Sequence, residues 1–146
     1  MNQSPSRPLP DHSTDEAEQI RRLLAGRRIA VVGLSDDPGR ASYRVADYLR
    51  SVGKEVIPVN PNCQTIFGVR CYAGLEEFPL QIDVVNVFRR PEHCPDIVRS
   101  AIQIGARGVW LQAGIVSPQA EAIAREAGID FVQNRCLMVE HMQCRA

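Results

Sequence analysis

The chain has 146 residues, 45% of them hydrophobic, and its 17 lysines and arginines balance its 17 aspartates and glutamates. That length fits one domain able to bury roughly two-thirds of its unfolded surface. Zero net charge excludes a global field that would recruit nucleic acid or acidic lipid, and no apolar run approaches the roughly 20 residues that span a bilayer.

Residues 1–12 read as a disordered tail containing Ser4-Pro5-Ser6-Arg7-Pro8-Leu9-Pro10. This tail lacks the apolar region of a secretory signal, so a cytoplasmic location is expected. Ser13 and Glu16 have capping-box spacing and predict a helix over 13–25 with Ile20, Leu23 and Leu24 as its stripe. Residues 28–32 form a first apolar strand that breaks at Gly33. A polar loop leads into a helix over 42–52, whose Val45, Leu49 and Val52 share one face. A second strand over 55–59 ends at Asn60-Pro61. Residues 66–77 read as irregular, with a short helix after Gly74.

The third strand spans 82–88. Pro91 and Pro95 stand near the start of the next helix, where a missing N–H costs nothing, and Ile97, Ala101 and Ile104 are its expected inner face. Residues 108–111 form strand four. Ser117-Pro118 opens a helix to 127 that Gly128 closes, and 129–132 is strand five. Five short apolar strands alternating with helices predict a single α/β domain over 13–146. It is built on a doubly wound, five-stranded parallel sheet with helices on both faces.

Ligands of such sheets bind beyond the carboxyl ends of the strands, which directs attention to four loops. The first is neither G-x-G-x-x-G nor a P-loop, because Gly39 is the next glycine after Gly33. The amides of Gly33, Leu34 and Ser35, the hydroxyls of Ser35 and Ser42, and the charges of Arg40 and Arg44 can meet a diphosphate. The alternative is an ordinary turn with solvated arginines. A dinucleotide site would also want a carboxylate after strand two, where Asn60 stands, and this disfavours NAD.

In the third loop, Phe88 or an arginine plane can cover an adenine, and Arg89 or Arg90 can meet a phosphate. Phe88 can equally be a core residue at a helix entry. The fourth loop, with Gln112, Gly114 and Ile115, is apolar and small enough to pass an uncharged chain. Five cysteines (Cys63, Cys71, Cys94, Cys136, Cys144) without a C-x-x-C pair argue against a disulfide framework and a zinc ribbon. His93, Cys94, Cys136 and His141 have no metal-ligand spacing.

Taken together, the runs I-A-V-V-G-L-S, S-Y-R-V-A-D-Y-L, V-I-P-V-N-P, V-N-V-F-R-R-P-E-H, V-W-L-Q-A-G-I-V and N-R-C-L-M-V-E-H resemble the small CoA-binding proteins. These are related to the N-terminal domain of the succinyl-CoA synthetase α subunit. The resemblance covers residues 28–141 and implies a Rossmann-like domain holding coenzyme A or an acyl-CoA. By motif it gives the phosphates to Gly33, Ser35, Ser42 and Arg44. Asn60, Pro61, Phe88, Arg89 and Pro91 line the adenosine, and Gln112, Gly114 and Ile115 lie by the pantetheine arm.

Two departures stand out. Asn62-Cys63 follows the V-N-P turn where the family often has a basic residue, and Asn134-Arg135-Cys136 replaces the usual D-R-C. The resemblance implies binding without catalysis of the chain's own. Two other readings are a thiol-dependent CoA-disulfide or acyl-transfer enzyme using Cys136, and a Rossmann-like subunit that docks on a larger acyl-CoA enzyme. A buried structural role for Cys136 stands beside the first.

Overall fold

The computed structural model describes residues 12–145, with side chains described over 16–144. The tail and the Ser13 cap lie outside the described side chains. Five parallel strands form one sheet: β1 (Arg28–Val32), β2 (Glu55–Val59), β5 (Val84–Val87), β6 (Gly108–Leu111) and β7 (Asp130–Val132), in the order β2-β1-β5-β6-β7. Between β2 and β5 the chain makes a small hairpin of β3 (Thr65–Ile66) and β4 (Val69–Arg70), where the sequence predicts irregular structure.

Strand alternation sorts the core into two layers. Ala30, Val32, Ile57, Val59, Val85, Val87, Val109 and Leu111 face α3 (Cys94–Gln103) and α4 (Pro118–Ala127). Ile29, Val31, Val56, Val84, Trp110 and Val132 face α1 (His12–Leu24), α2 (Ala41–Ser51) and α5 (Leu137–Arg145). The doubly wound Rossmann-like arrangement is therefore present. Each fully buried aliphatic or aromatic side chain contributes roughly 1.5–3 kcal/mol to it.

Two elements differ from expectation. In α3 the buried positions are Cys94, Pro95, Val98 and Ala101, whereas Ile97 and Ile104 are only partly buried. A 3-10 turn at Pro91–His93 precedes the helix, so the regular α-helical spacing begins only at Cys94. The helix α5 follows strand five without an apolar stripe in the sequence to announce it. Its start is capped at long range, with the Leu137 N–H donating to Gln112 Oε1 at 3.3 Å. As expected, Ser117 Oγ accepts the Ala120 N–H at 3.1 Å and caps α4.

The edge opposite the candidate loops is fastened by ionised side chains. Lys54, the chain's single lysine, donates to the carbonyls of Leu24 (2.8 Å) and Gly26 (2.7 Å) at the end of α1. Asp83 Oδ2 accepts the N–H groups of Arg27 and Arg28, both at 2.9 Å. Burial alone would raise the Asp83 pKa, but those two N–H donors and the charges of Arg107 and Arg28 outweigh it and hold the carboxyl below its ordinary value.

Asp83→Ala should cost about 2–4 kcal/mol at neutral pH, because two charge-assisted bonds are lost. The contribution of a depressed carboxyl is complete above its unfolded value of about 3.9 and is lost as pH falls through the lower folded value. Chemical denaturation at stepped pH should therefore show the wild type and variant converging below about pH 4. A gap that persists undiminished to about pH 2 would contradict this assignment.

Candidate functional site

The order β2-β1-β5 places a topological switch between β1 and β5: the chain leaves β1 toward one side, then crosses back past it to continue on the other. Gly33 lies at this point. Its φ is +86°, and a Cβ there would stand 2.5 Å from the Phe88 carbonyl oxygen and 3.1 Å from Arg89 Cδ. Two ladder bonds extend the sheet through this contact, Gly33 N–H to Val59 O at 2.9 Å and Phe88 N–H to Val32 O at 2.8 Å. Only glycine has both the backbone freedom and the absence of a side chain that this approach requires.

The first loop is wound on itself. The Ser35 N–H donates to Ser42 Oγ at 3.0 Å, Asp37 N–H to Ser35 Oγ at 3.0 Å, and Gly39 N–H to Asp37 Oδ1 at 2.9 Å. Arg44 Nη1 donates to the Gly39 carbonyl at 2.7 Å, and Arg40 pairs with Asp37 at 4.0 Å. Of the three amides expected to face a diphosphate, that of Gly33 belongs to the sheet and that of Ser35 is engaged by buried Ser42. The Leu34 side chain is in the core. At the start of α2, the N-cap residue Arg40 makes no side-chain cap bond, so this turn is where helix geometry favours an anion.

Asn60 ties the second loop to the first. Its Nδ2 donates to the Leu34 carbonyl at 2.8 Å, and its Oδ1 accepts the Asn62 N–H at 2.8 Å. Between the loops lies a cleft of about 280 Å³ lined by Val32, Gly33, Val59, Asn60, Pro61, Asn62, Ala73, Phe88 and Arg89. It adjoins a second of about 170 Å³, with which it shares Val32, Val59, Ala73 and Arg89. The second is completed by Gly74, Leu75, Glu76, Asp96, Ile97 and Ser100. Five of the residues picked from sequence (Gly33, Asn60, Pro61, Phe88 and Arg89) thus meet in one cleft.

The remaining candidates are placed elsewhere. Arg90 and Pro91 are exposed at the 3-10 turn. Gln112 is buried, and its Oε1 accepts from Leu137 N–H and from Asn86 Nδ2 at 3.4 Å. Gly114 N–H donates to Asn134 Oδ1 at 2.8 Å, and Ile115 packs partly buried against the α3/α4 layer. These three follow β6 and line neither part of the paired cleft. Asn86 Oδ1 is the buried side-chain atom without a hydrogen-bond partner among the described residues.

Residues 73–76 and the α3 positions Asp96, Ile97 and Ser100 were missed as cleft walls. Gly74 was the available signal in the sequence, whereas Ile97 reads there as an inner-face residue and is partly buried against the core. Cys136 is half-buried just before α5, its carbonyl accepting the Glu140 N–H at 3.0 Å. Arg135, its neighbour in sequence and the natural charge to activate it, pairs instead with Glu16 (3.1 Å) and Glu140 (3.2 Å). Hydrogen bonding to Glu16 leads the effects that raise the Arg135 pKa, against the opposing cost of burial. Among the described residues no three potential metal ligands converge.

Comparison with known proteins bears on this geometry. A family model described as a CoA binding domain matches residues 27–142. The Bacillus subtilis (strain 168) protein YneT is 38% identical over 126 residues, covering 86% of this chain and 93% of YneT. A solved structure of a hypothetical protein from Pyrococcus horikoshii OT3 superposes with a TM-score of 0.85 at 35% identity, covering 100% of this chain and 99% of that one. The ADP-forming acetate–CoA ligase II of Archaeoglobus fulgidus is 24% identical over 104 residues, which are 70% of this chain but 16% of the ligase.

Proposed function

The chain belongs to the CoA-binding domain family, and from that premise we propose that it holds coenzyme A or an acyl-CoA at the carboxyl ends of β1, β2 and β5. The observation that carries this reading is the paired cleft pinched at Gly33, where residues from the ends of three adjacent strands share one wall. The adenosine end occupies this cleft. Pro61 and Phe88 offer apolar faces, and Arg89, at the junction of the two clefts, meets a phosphate. The diphosphate lies toward the uncapped start of α2, with Ser35, Ser42, Arg40 and Arg44 around it.

From there the pantetheine arm runs toward Gln112, Gly114 and Ile115, while Arg90 and Pro91 border the mouth. The Asn60 carboxamide, bonded to Leu34 and Asn62, is no substitute for the carboxylate that an NAD site places on a ribose. The chain acts as a cytoplasmic carrier or sensor and performs no catalysis of its own.

Thermal unfolding with CoA, NAD or ATP tests the choice. A ligand that binds the native state adds about 2.7 kcal/mol at one hundred times its Kd, a Tm rise of roughly 5–10 °C for a chain of this size. CoA should give that rise. A shift with NAD and none with CoA would overturn the reading.

A second reading, a subunit that docks on a larger acyl-CoA enzyme, draws on the match to a small part of the acetate–CoA ligase. Stoichiometric recovery of such an enzyme in a pull-down from the native cell would favour it over a solitary carrier.

A further inference from the structure

The carboxamides of Asn86 and Gln112 form a short buried polar chain beneath the carboxyl edge of the sheet. Val85 and Val87 face the α3/α4 layer, so Asn86 between them takes the opposite face, with Trp110 and Leu137. Gln112 follows β6, and its N–H bonds to Val87 O at 3.1 Å. It therefore stands at the carboxyl ends of the strands.

Two backbone groups of fixed polarity orient both side chains. The Trp110 carbonyl can only accept, so the Asn86 end 3.3 Å from it is the Nδ2 donor. That Nδ2 also lies 3.4 Å from Gln112, whose facing atom must accept and is Oε1. The Leu137 N–H, which can only donate, meets the same Oε1 at 3.3 Å. A flip of Gln112 would set its own N–H2 against two donors. The Gln112 Nε2 is thereby turned away from this chain of bonds. It has no partner among the described residues, yet the fully buried side-chain atom lacking one there is Asn86 Oδ1, so Nε2 keeps contact with the surface.

This arrangement leaves the Asn86 carbonyl oxygen buried without a donor, which costs stability. A valine, as at the neighbouring Val84, Val85 and Val87, would carry no such cost. What the asparagine supplies is the second donor on Gln112 Oε1. We infer that Asn86 is a positioning residue that holds Gln112 with its amide N–H2 outward, where it donates to a carbonyl oxygen of the pantetheine arm or of the acyl group it carries. The inference rests on the reading of this edge as the place of that arm. The polarity is specific, because a ligand carbonyl fits here whereas a ligand N–H would face another donor.

The same Oε1 caps α5, so a useful substitution must spare it. Gln112→Glu keeps an acceptor for Leu137 and Asn86 and exchanges the outward N–H2 for an oxygen. Asn86→Val removes the inner donor and the orphaned oxygen together, so its Tm should equal or exceed that of the wild type.

The test is calorimetric titration of the full chain and these variants with CoA, acetyl-CoA and adenosine 3′,5′-bisphosphate, which lacks the arm. Gln112→Glu should weaken acetyl-CoA more than about tenfold and Asn86→Val about three- to fivefold, with the bisphosphate changed less than about twofold. Equal losses for CoA and acetyl-CoA place the carbonyl in the arm, and a loss confined to acetyl-CoA places it in the acyl group. In the Gln112→Glu background Asn86→Val should have no further effect, because it acts through Gln112. If Asn86→Val fails to fold, the Gln112→Glu contrast between acetyl-CoA and the bisphosphate decides. Wild-type affinity of Gln112→Glu for acetyl-CoA, an equal loss for the bisphosphate, or a full Asn86→Val effect in the double variant would overturn the inference and leave the reading of the site standing. No binding of CoA or acetyl-CoA by the wild type would overturn that reading and the inference with it.

Discussion

Gly33→Ala is expected to lower the Tm by about 6–12 °C and to weaken CoA binding more than roughly tenfold. The loss of stability has two sources. Alanine at a φ of +86° is strained, and its Cβ would sit 2.5 Å from a backbone oxygen that cannot rotate away. Together these cost about 3 kcal/mol, which sets the Tm shift for a domain of this length.

Binding suffers because relief of the clash must move Phe88 and Arg89, and these line the cleft. Thermal unfolding measures the first effect, and calorimetric titration with CoA the second. An alanine variant with wild-type Tm and affinity would show that the loops after β1 and β5 are not held in the contact described. Gly39→Ala is an informative control, since the nearest atom an added Cβ would meet there is a side-chain oxygen of Asp37 at 3.3 Å.

Arg89→Ala should weaken CoA roughly 10- to 150-fold with little change in Tm. Loss of one charge-assisted contact in a partly buried cleft costs about 1.5–3 kcal/mol. Arg89→Lys should recover only part of the loss, because a point charge does not reproduce the planar fork. Arg40 and Arg44 are exposed, and their removal should cost less and depend more on salt. Titrations at low and high salt separate these cases. Arg89→Ala binding CoA as tightly as the wild type would remove Arg89 from the site.

Much of this architecture was legible because its signals are local. The strand at Ile29–Val32 ends at a glycine, and α4 carries its own Ser117 cap and Gly128 close. The hairpin was not legible. Thr65–Ile66 and Val69–Arg70 are too short to show alternation, and Phe67 is held in left-handed backbone by Tyr43 and Arg50, far away in sequence. The α5 segment hid for a related reason. Leu137 is buried while Val139 and Met142 are exposed, so no clean stripe appears, and its cap comes from Gln112.

The candidate site divides in the same way. Backbone position at strand ends brought Gly33, Asn60, Pro61, Phe88 and Arg89 together, and strand ends can be read from a pattern. What Ser42, Asn60 and Gln112 do with their polar atoms depends on hydrogen bonds to Ser35, Leu34 and Leu137, which only the packed fold supplies. Ala73 to Glu76 became a wall because Tyr72 pairs beside β2, an isolated bridge with no pattern of its own.

The central claim is that the cleft at the β1/β5 switch takes coenzyme A, and calorimetric titration of the purified chain with CoA tests it most directly. Saturable binding at one site per chain, weakened by Arg89→Ala and absent with NAD, is the predicted result. No heat of binding with CoA together with saturable binding of NAD would contradict it.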